Sequence, residues 1–218
     1  VAGNKIVTLT SRYSGADIAN YVFTDQATTT AAITPKALTV SGLAVANRSY
    51  DGTTAATVDL SGATYTGLIA GDVVTVAASG SFADKNAGAD KLATLNSSYS
   101  GADVGNYTLA STTSSGVANI TQKALTVTGV TAASRDYDGT RDAVLSGGAL
   151  SGLVSGETLN LDLTNQTGVF ADKNAGSGKV VTVTGATISD GATGLASNYA
   201  FSKASGVTAN ISKAERTC

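Results

Sequence analysis

The side chains able to do chemistry in this chain are carboxylates, amides, lysines and tyrosines. Histidine is absent and cysteine occurs once, as Cys218. Without imidazole there is no usual base for a Ser or Cys nucleophile and no imidazole metal ligand. One thiol makes neither a zinc cluster nor an intrachain disulfide, so Cys218 reads as a free or intermolecularly paired thiol. Of the 16 acidic residues only Glu157 and Glu215 are Glu. Paired carboxylates could serve glycoside hydrolysis, but Asp72, Asp90 and Asp103 are too dispersed to suggest a site. Asp84-Lys85-Asn86 and Asp172-Lys173-Asn174 place both signs of charge beside a glycine. A calcium loop needs several oxygen ligands, usually more than one carboxylate. The central Lys favours instead a turn with a local ion pair, worth little at a surface. No catalytic residue, metal site or cofactor is expected.

Two further constellations carry chemistry. Lys36 opens a first strand and Asn119 lies on a last one, and Lys123 with Asn210 repeats the arrangement. Some surface adhesin domains join such a Lys–Asn pair as an isopeptide bond, helped by a buried acid. The plainer reading is an exposed strand-start Lys and a solvent-facing Asn. It is preferred because no acid stands out as catalyst and the partial copy has Ala32 where Asn would stand. Tyr50-Asp51-Gly52 and Tyr137-Asp138-Gly139, each followed by Thr, could offer sugar a Tyr/Asp pair. They read better as turns, with Asp bonding the backbone two residues on, Gly supplying positive φ and Tyr over the core edge. Tyr13, Tyr65 and Tyr99 are the contact candidates if the repeats bind glycan, since Tyr pairs an apolar face with a polar tip.

The elements positioning these residues repeat. Lys36-Ala37-Leu38-Thr39-Val40 returns at Lys123 and Tyr50-Asp51-Gly52-Thr53 at Tyr137, each 87 residues on, and Phe82–Gly88 returns as Phe170–Gly176 after 88. The organisation is then 1–35, the second half of a preceding repeat; 36–122 and 123–212, two full repeats; and 213–218, the start of another unit or a tail. A unit of this length exceeds a solenoid rung and is the size of a small domain. Val/Thr-rich runs over 37–46, 55–60, 73–78, 91–96, 105–110 and 116–121 alternate with turn signals, which predicts an all-β fold. Gly42 interrupts the first run, where a bulge is expected. Residues 117–127 contain neither Gly nor Pro, so one repeat should pass almost directly into the next. That predicts small β-sandwich-like, or β-grasp-like, domains in tandem as an elongated rod. The half repeat lacks its own first strands, so its edge should pack on a neighbour or pair with another chain.

Charge points the same way. The net charge is -2 with no basic cluster, which argues against nucleic acid and an anionic membrane surface. No apolar run approaches the ~18 residues that a membrane span needs.

At Tyr50-Asp51-Gly52-Thr53, Phe82–Gly88, Gly105-Asn106-Tyr107-Thr108-Leu109 and Ile120–Val127 the chain resembles the YDG domain, named for its Tyr-Asp-Gly motif. Such repeats occur in large bacterial surface and secreted adhesins, including filamentous-haemagglutinin-type proteins exported by two-partner secretion. The resemblance implies a non-enzymatic, extracellular stalk serving adhesion or biofilm; the alternative is a binding module whose partners would be host or matrix glycans or other copies of the adhesin. It transfers no catalytic residues. The second repeat departs from the first at Ser155-Gly156-Glu157, where Ala70-Gly71-Asp72 stands earlier. It departs again at Asn198-Tyr199-Ala200-Phe201, which replaces Asn106-Tyr107-Thr108-Leu109.

Overall fold

Val and Thr dominate the strand-forming runs, and their β-branched side chains suit a pleated, half-buried surface. The structure, a computed structural model, is accordingly all-β. It describes residues 1–216; the reading of Cys218 falls outside them. Helical structure among the described residues is limited to the 3-10 turns Ile18–Asn20, Val104–Asn106 and Ala196–Asn198.

Both full repeats use one strand plan. A five-stranded sheet runs in the order Arg48–Ser49, Thr113–Thr121, Gly88–Ser100, Thr75–Phe82, Ala55–Ala56. Its counterpart runs Arg135–Asp136, Thr208–Ser212, Gly176–Thr184, Thr167–Phe170, Asp142–Ala143. The compact units do not follow the repeats. One comprises Val1–Val45, Ala56–Gly80 and Thr94–Gly116; the other comprises Ala46–Ala55, Ser81–Ala93 and the described residues from Val117 onward.

In the first unit, Lys36–Ser41 lies between Tyr107–Leu109, parallel, and Thr64–Thr66, antiparallel. Leu38, Val74 and Tyr107 form its core, with Tyr65 and Leu109 packed against them. At Gly42 the structure shows a break in place of a bulge. The strand ends at Ser41, Gly42 takes φ +79, and pairing resumes at Ala44–Val45 with Val58–Asp59. A Cβ at Gly42 would stand 2.1 Å from the Gly62 carbonyl oxygen, so only glycine fits. Residues 1–35 form an antiparallel ribbon of Ala2–Thr8 with Thr28–Ile33. None of its side chains is buried. Tyr21, matching buried Tyr107, is 68% exposed. A two-stranded ribbon without a core is marginal by itself.

In the second unit, Lys123–Thr128 lies between Ala149–Ser151, antiparallel, and Tyr199–Ser202, parallel. The core gathers Val127, Phe170, Val181, Val183, Ala209 and Ile211 with neighbouring apolar residues. Phe170 is fully buried, a burial that contributes about 2–3 kcal/mol. Between the repeats only Gln122 separates the strand ending at Thr121 from the one beginning at Lys123. The strands Arg48–Ser49 and Thr64–Thr66, which the sequence pattern did not reveal, are two and three residues long.

Candidate functional site

The Tyr-Asp-Gly segment is a clamped turn in both copies. Asp51 Oδ1 accepts the Thr53 backbone N–H at 2.8 Å, and Asp138 Oδ1 accepts that of Thr140 at 2.8 Å. Gly52 and Gly139 take φ +81 and +84. An arginine two residues before each Tyr completes the turn. Arg48 pairs with Asp51 and stacks over Phe82, and Arg135 pairs with Asp138 and stacks over Phe170, each at 5.4 Å from the ring centre. Arg135 is the main cause that lowers Asp138 to about 2. These arginines were missed in the sequence, although their constant spacing before Tyr50 and Tyr137 was available there.

The second recurring turn departs from expectation. Asp84 pairs with Lys91 and Asp172 with Lys179, seven residues on in each case, rather than with the adjacent Lys85 and Lys173. The reason is local: each Asp accepts the backbone N–H two residues on, from Asn86 and Asn174, both at 2.8 Å. The turn so formed brings the partner lysine back across the hairpin and leaves the adjacent Lys outside it.

Lys85 therefore reaches elsewhere within its unit. Its Nζ donates to Glu157 Oε1 at 2.7 Å. Tyr50 donates its hydroxyl to the same oxygen at 2.5 Å, and Tyr199 donates to Oε2 at 2.7 Å. The Tyr50 and Tyr199 rings meet edge-on at 5.6 Å. Beside them Asn198, 1% exposed, accepts the Ala87 N–H at 2.8 Å and donates to Asn86 Oδ1 at 3.1 Å. Tyr199 also accepts the Val154 N–H at 3.0 Å. Gly52 approaches this loop so closely that a Cβ would lie 2.8 Å from Val154 Cγ1. Burial pushes the Glu157 carboxyl up, but hydrogen bonds from Lys85, Tyr50 and Tyr199 outweigh it and hold the group ionised below its ordinary value. Burial raises Tyr199 to about 12, and its hydrogen bond to Glu157 raises Lys85. Every donor and acceptor here has a partner from another element of the unit. The arrangement is a latch: Tyr50, Lys85, Asn86 and Ala87 form an edge of one repeat, and Glu157, Asn198 and Tyr199 form a corner of the next.

The candidate isopeptide residues lie elsewhere. Lys123 and Asn210 are on different sheets of one unit. Asn210 Oδ1 accepts the N–H of Gly178, φ +60, within a shift of strand register. Asn119 Oδ1 likewise accepts the N–H of Asp90, φ +48, and the Asn119 N–H bonds to Asn47. Both amides hold backbone at a residue of positive φ. Lys36 sits at the start of its strand, beside Tyr107.

Of the candidate contact tyrosines only Tyr13 is exposed. Tyr65 is half-buried on the Leu38 core with its hydroxyl accepting the Val76 N–H at 3.1 Å, and Tyr99 is half-buried. This corrects the expectation that all three are free: alternation places Tyr65 and Tyr99 on the inward side of their strands. Tyr13 stacks on Phe23 at 3.9 Å beside a cleft of about 470 Å³ that includes Asp17 and Tyr21. Another cleft, about 430 Å³, lies between Ala87–Ala89, Asn119–Gln122 and Ser197, and no ionisable side chain lines it. No group of three or more metal-ligating side chains occurs among the described residues.

Comparison with curated proteins and with solved structures gave no match. The YDG domain family matches residues 34–114 and again 121–206. Those spans hold the clamped turns, the latch edge at Tyr50 and its corner at Glu157, and the chain belongs to the YDG domain family.

Proposed function

We propose that the chain is a non-enzymatic stalk segment of a bacterial extracellular adhesin, of the filamentous-haemagglutinin type exported by two-partner secretion. It stands at the cell surface or in a secreted fibre and spaces or builds that fibre for adhesion or biofilm. The observation carrying this reading is the use to which the recurring residues are put. Tyr50, Lys85, Asn86 and Tyr199 join one repeat to the next, and none of them lines a pocket with an unpartnered reactive group. A one-residue junction at Gln122 leaves little slack for bending. Small-angle scattering tests the reading. An extended segment gives a radius of gyration well above the ~17 Å of a compact domain of this length. A value near that figure overturns it.

A second reading, a glycan-binding or self-associating module, draws on the Tyr13–Phe23 stack and exposed Tyr21. The counterparts of Tyr21 and Phe23 in the full repeat, Tyr107 and Leu109, belong to the core, which favours incomplete packing over recognition. Glycan-array binding that is lost in Tyr13→Ala would reverse that preference.

A further inference from the structure

The latch at Tyr50 has a second copy without an occupant. Tyr137, Gly139, Lys173, Asn174 and Ala175 repeat Tyr50, Gly52, Lys85, Asn86 and Ala87 in type and order. The turn beneath them is built alike, with Asp138 bonded to Thr140 and Asp172 to Asn174. Its outer face differs. Tyr50 is 1% exposed and Tyr137 39%. A Cβ at Gly52 would strike Val154, whereas one at Gly139 would meet nothing within 4 Å. Lys173 stands exposed, with no carboxylate partner among the described residues. Tyr137, Asn174 and Ala175 line an open cleft of about 370 Å³ whose other wall is Lys213, Ala214 and Arg216.

We propose that this edge is a docking site for the carboxylate–Asn–Tyr corner of a further YDG repeat joined in tandem. The chemistry of the occupant follows from the filled copy. A carboxylate takes the Tyr137 hydroxyl and the Lys173 ammonium, as Glu157 takes those of Tyr50 and Lys85. An Asn side chain takes the Ala175 N–H and donates to Asn174, as Asn198 does at Ala87 and Asn86. A Tyr ring meets Tyr137 edge-on. The corner is not peculiar to one repeat. In the other unit Tyr107 donates to Asp72 Oδ2 at 2.5 Å and accepts the Ile69 N–H at 3.0 Å. Beside it stands Asn106, as Asn198 stands beside Tyr199. The edge-to-corner bond forms at Ala87, and Ala175 offers it again.

This inference rests on reading the repeats as scaffold, and its test separates the two. Residues 122–212 are appended directly after Ser212, as Gln122 follows Thr121 in the chain. Amide exchange at Ala175 is then compared with the unextended protein. Docking slows it about tenfold, and Asn198→Ala in the appended copy abolishes the slowing. Lys173→Ala weakens docking by a lesser factor, which gives a second variant should Asn198→Ala unfold the appended repeat. Unchanged exchange with the appended core amides protected overturns the proposal. An appended repeat that stays unfolded overturns it too, because that repeat has all its strands. Concentration-dependent protection in the unextended chain would make the occupant a second copy, against the tandem assignment. Scattering on the extended protein judges the stalk reading separately, because a docked corner with a compact overall form would sink only that reading.

Discussion

Tyr50 and Tyr137 occupy the same place in consecutive copies of one motif, and in both turns below them the Asp accepts the Thr backbone N–H and hydroxyl and pairs with the preceding Arg. Their side chains differ in what covers them. Tyr50 lies under Glu157, Tyr199 and Lys85, and Tyr137 is open. The motif therefore has two separable parts. Asp, Gly and the preceding Arg make the turn whether or not a neighbour is present. Tyr with the Lys-Asn-Ala segment makes an edge whose bonds exist only when the corner of another repeat meets it. A family motif of this kind records a contact between domains as much as a fold within one.

The largest expected contrast is at the tyrosines themselves. Tyr50→Ala leaves a cavity beside Tyr199 and strips one donor from Glu157, and should cost about 3–5 kcal/mol in urea unfolding followed by circular dichroism. Tyr137→Ala removes a side chain with little cover and should cost within about 1 kcal/mol. Equal losses would mean that the tyrosine serves its own turn rather than the edge.

Next come the acids of the two corners. Glu157 is nearly buried and accepts from three groups, one of them cationic. Glu157→Ala leaves Tyr50 and Tyr199 without an acceptor and should cost about 3 kcal/mol. Asp72 accepts from Tyr107, and Asp72→Ala should cost about 1 kcal/mol. Hydrogen exchange of the Val154 and Ile69 amides, each bonded to the neighbouring Tyr hydroxyl, reports the local part of each loss. A Glu157→Ala cost no greater than that of Asp72→Ala would remove the distinction between a covered and an uncovered corner.

Much of this was legible in the sequence, and what was not has identifiable causes. The all-β class and the repeat spacing follow from Val/Thr content and recurring Asp-Gly and Asn-Ala-Gly turns, which are local signals. The latch was not legible, because its members stand far apart in the chain: Lys85 and Glu157 are 72 residues apart, and Ala87 and Asn198 are 111. Replacement of Asp72 by Glu157 reads as conservative, yet it supplies the acid that Tyr50 and Lys85 share. Proximity alone pairs Lys85 with its neighbour Asp84, whereas the turn that Asp84 closes on the Asn86 N–H turns that carboxylate to Lys91. Arg48 and Arg135 lay in plain view at constant spacing, but charge at a strand end reads as solvated until a ring is found beneath it.

A smaller contrast separates the glycines. Both sit at φ near +80, so replacing either with Ala costs about 1 kcal/mol from backbone conformation. Gly52→Ala adds a clash with Val154, whereas Gly139→Ala has open space around it. Gly52→Ala should therefore be the worse by about a further 1 kcal/mol. Measured equality would place Val154 farther from the turn than the latch requires.

The finest contrast is in pH. At the closed edge burial raises Tyr199 from 10.0 to about 12 and raises Tyr50, and the hydrogen bond to Glu157 raises Lys85. A raised folded-state value favours the protonated form. The stabilisation is thus complete below about pH 10 and is lost as pH climbs toward about 12. Tyr107, in the other unit, shifts the same way through burial. At the open edge Asp172 is lowered, chiefly by Lys179, and Asp138 is held down to about 2, chiefly by Arg135. Its contribution is present above the ordinary value of 3.8 and fades as pH falls toward 2. Glu157 is lowered as well, so acid weakens both edges while alkali weakens the closed one. Tyr199→Phe takes one titrating hydroxyl from the closed edge. Its urea midpoint should start lower at neutral pH, then fall less steeply than that of the parent between about pH 10 and about pH 12. The acid limb should shallow by less, because Glu157 loses one of the hydrogen bonds that hold it ionised while Lys85, Tyr50 and the Asp138 turn remain. A variant whose alkaline decline matches the parent's would show that Tyr199 does not titrate with the fold, and would take from the closed edge the property that distinguishes it from the open one.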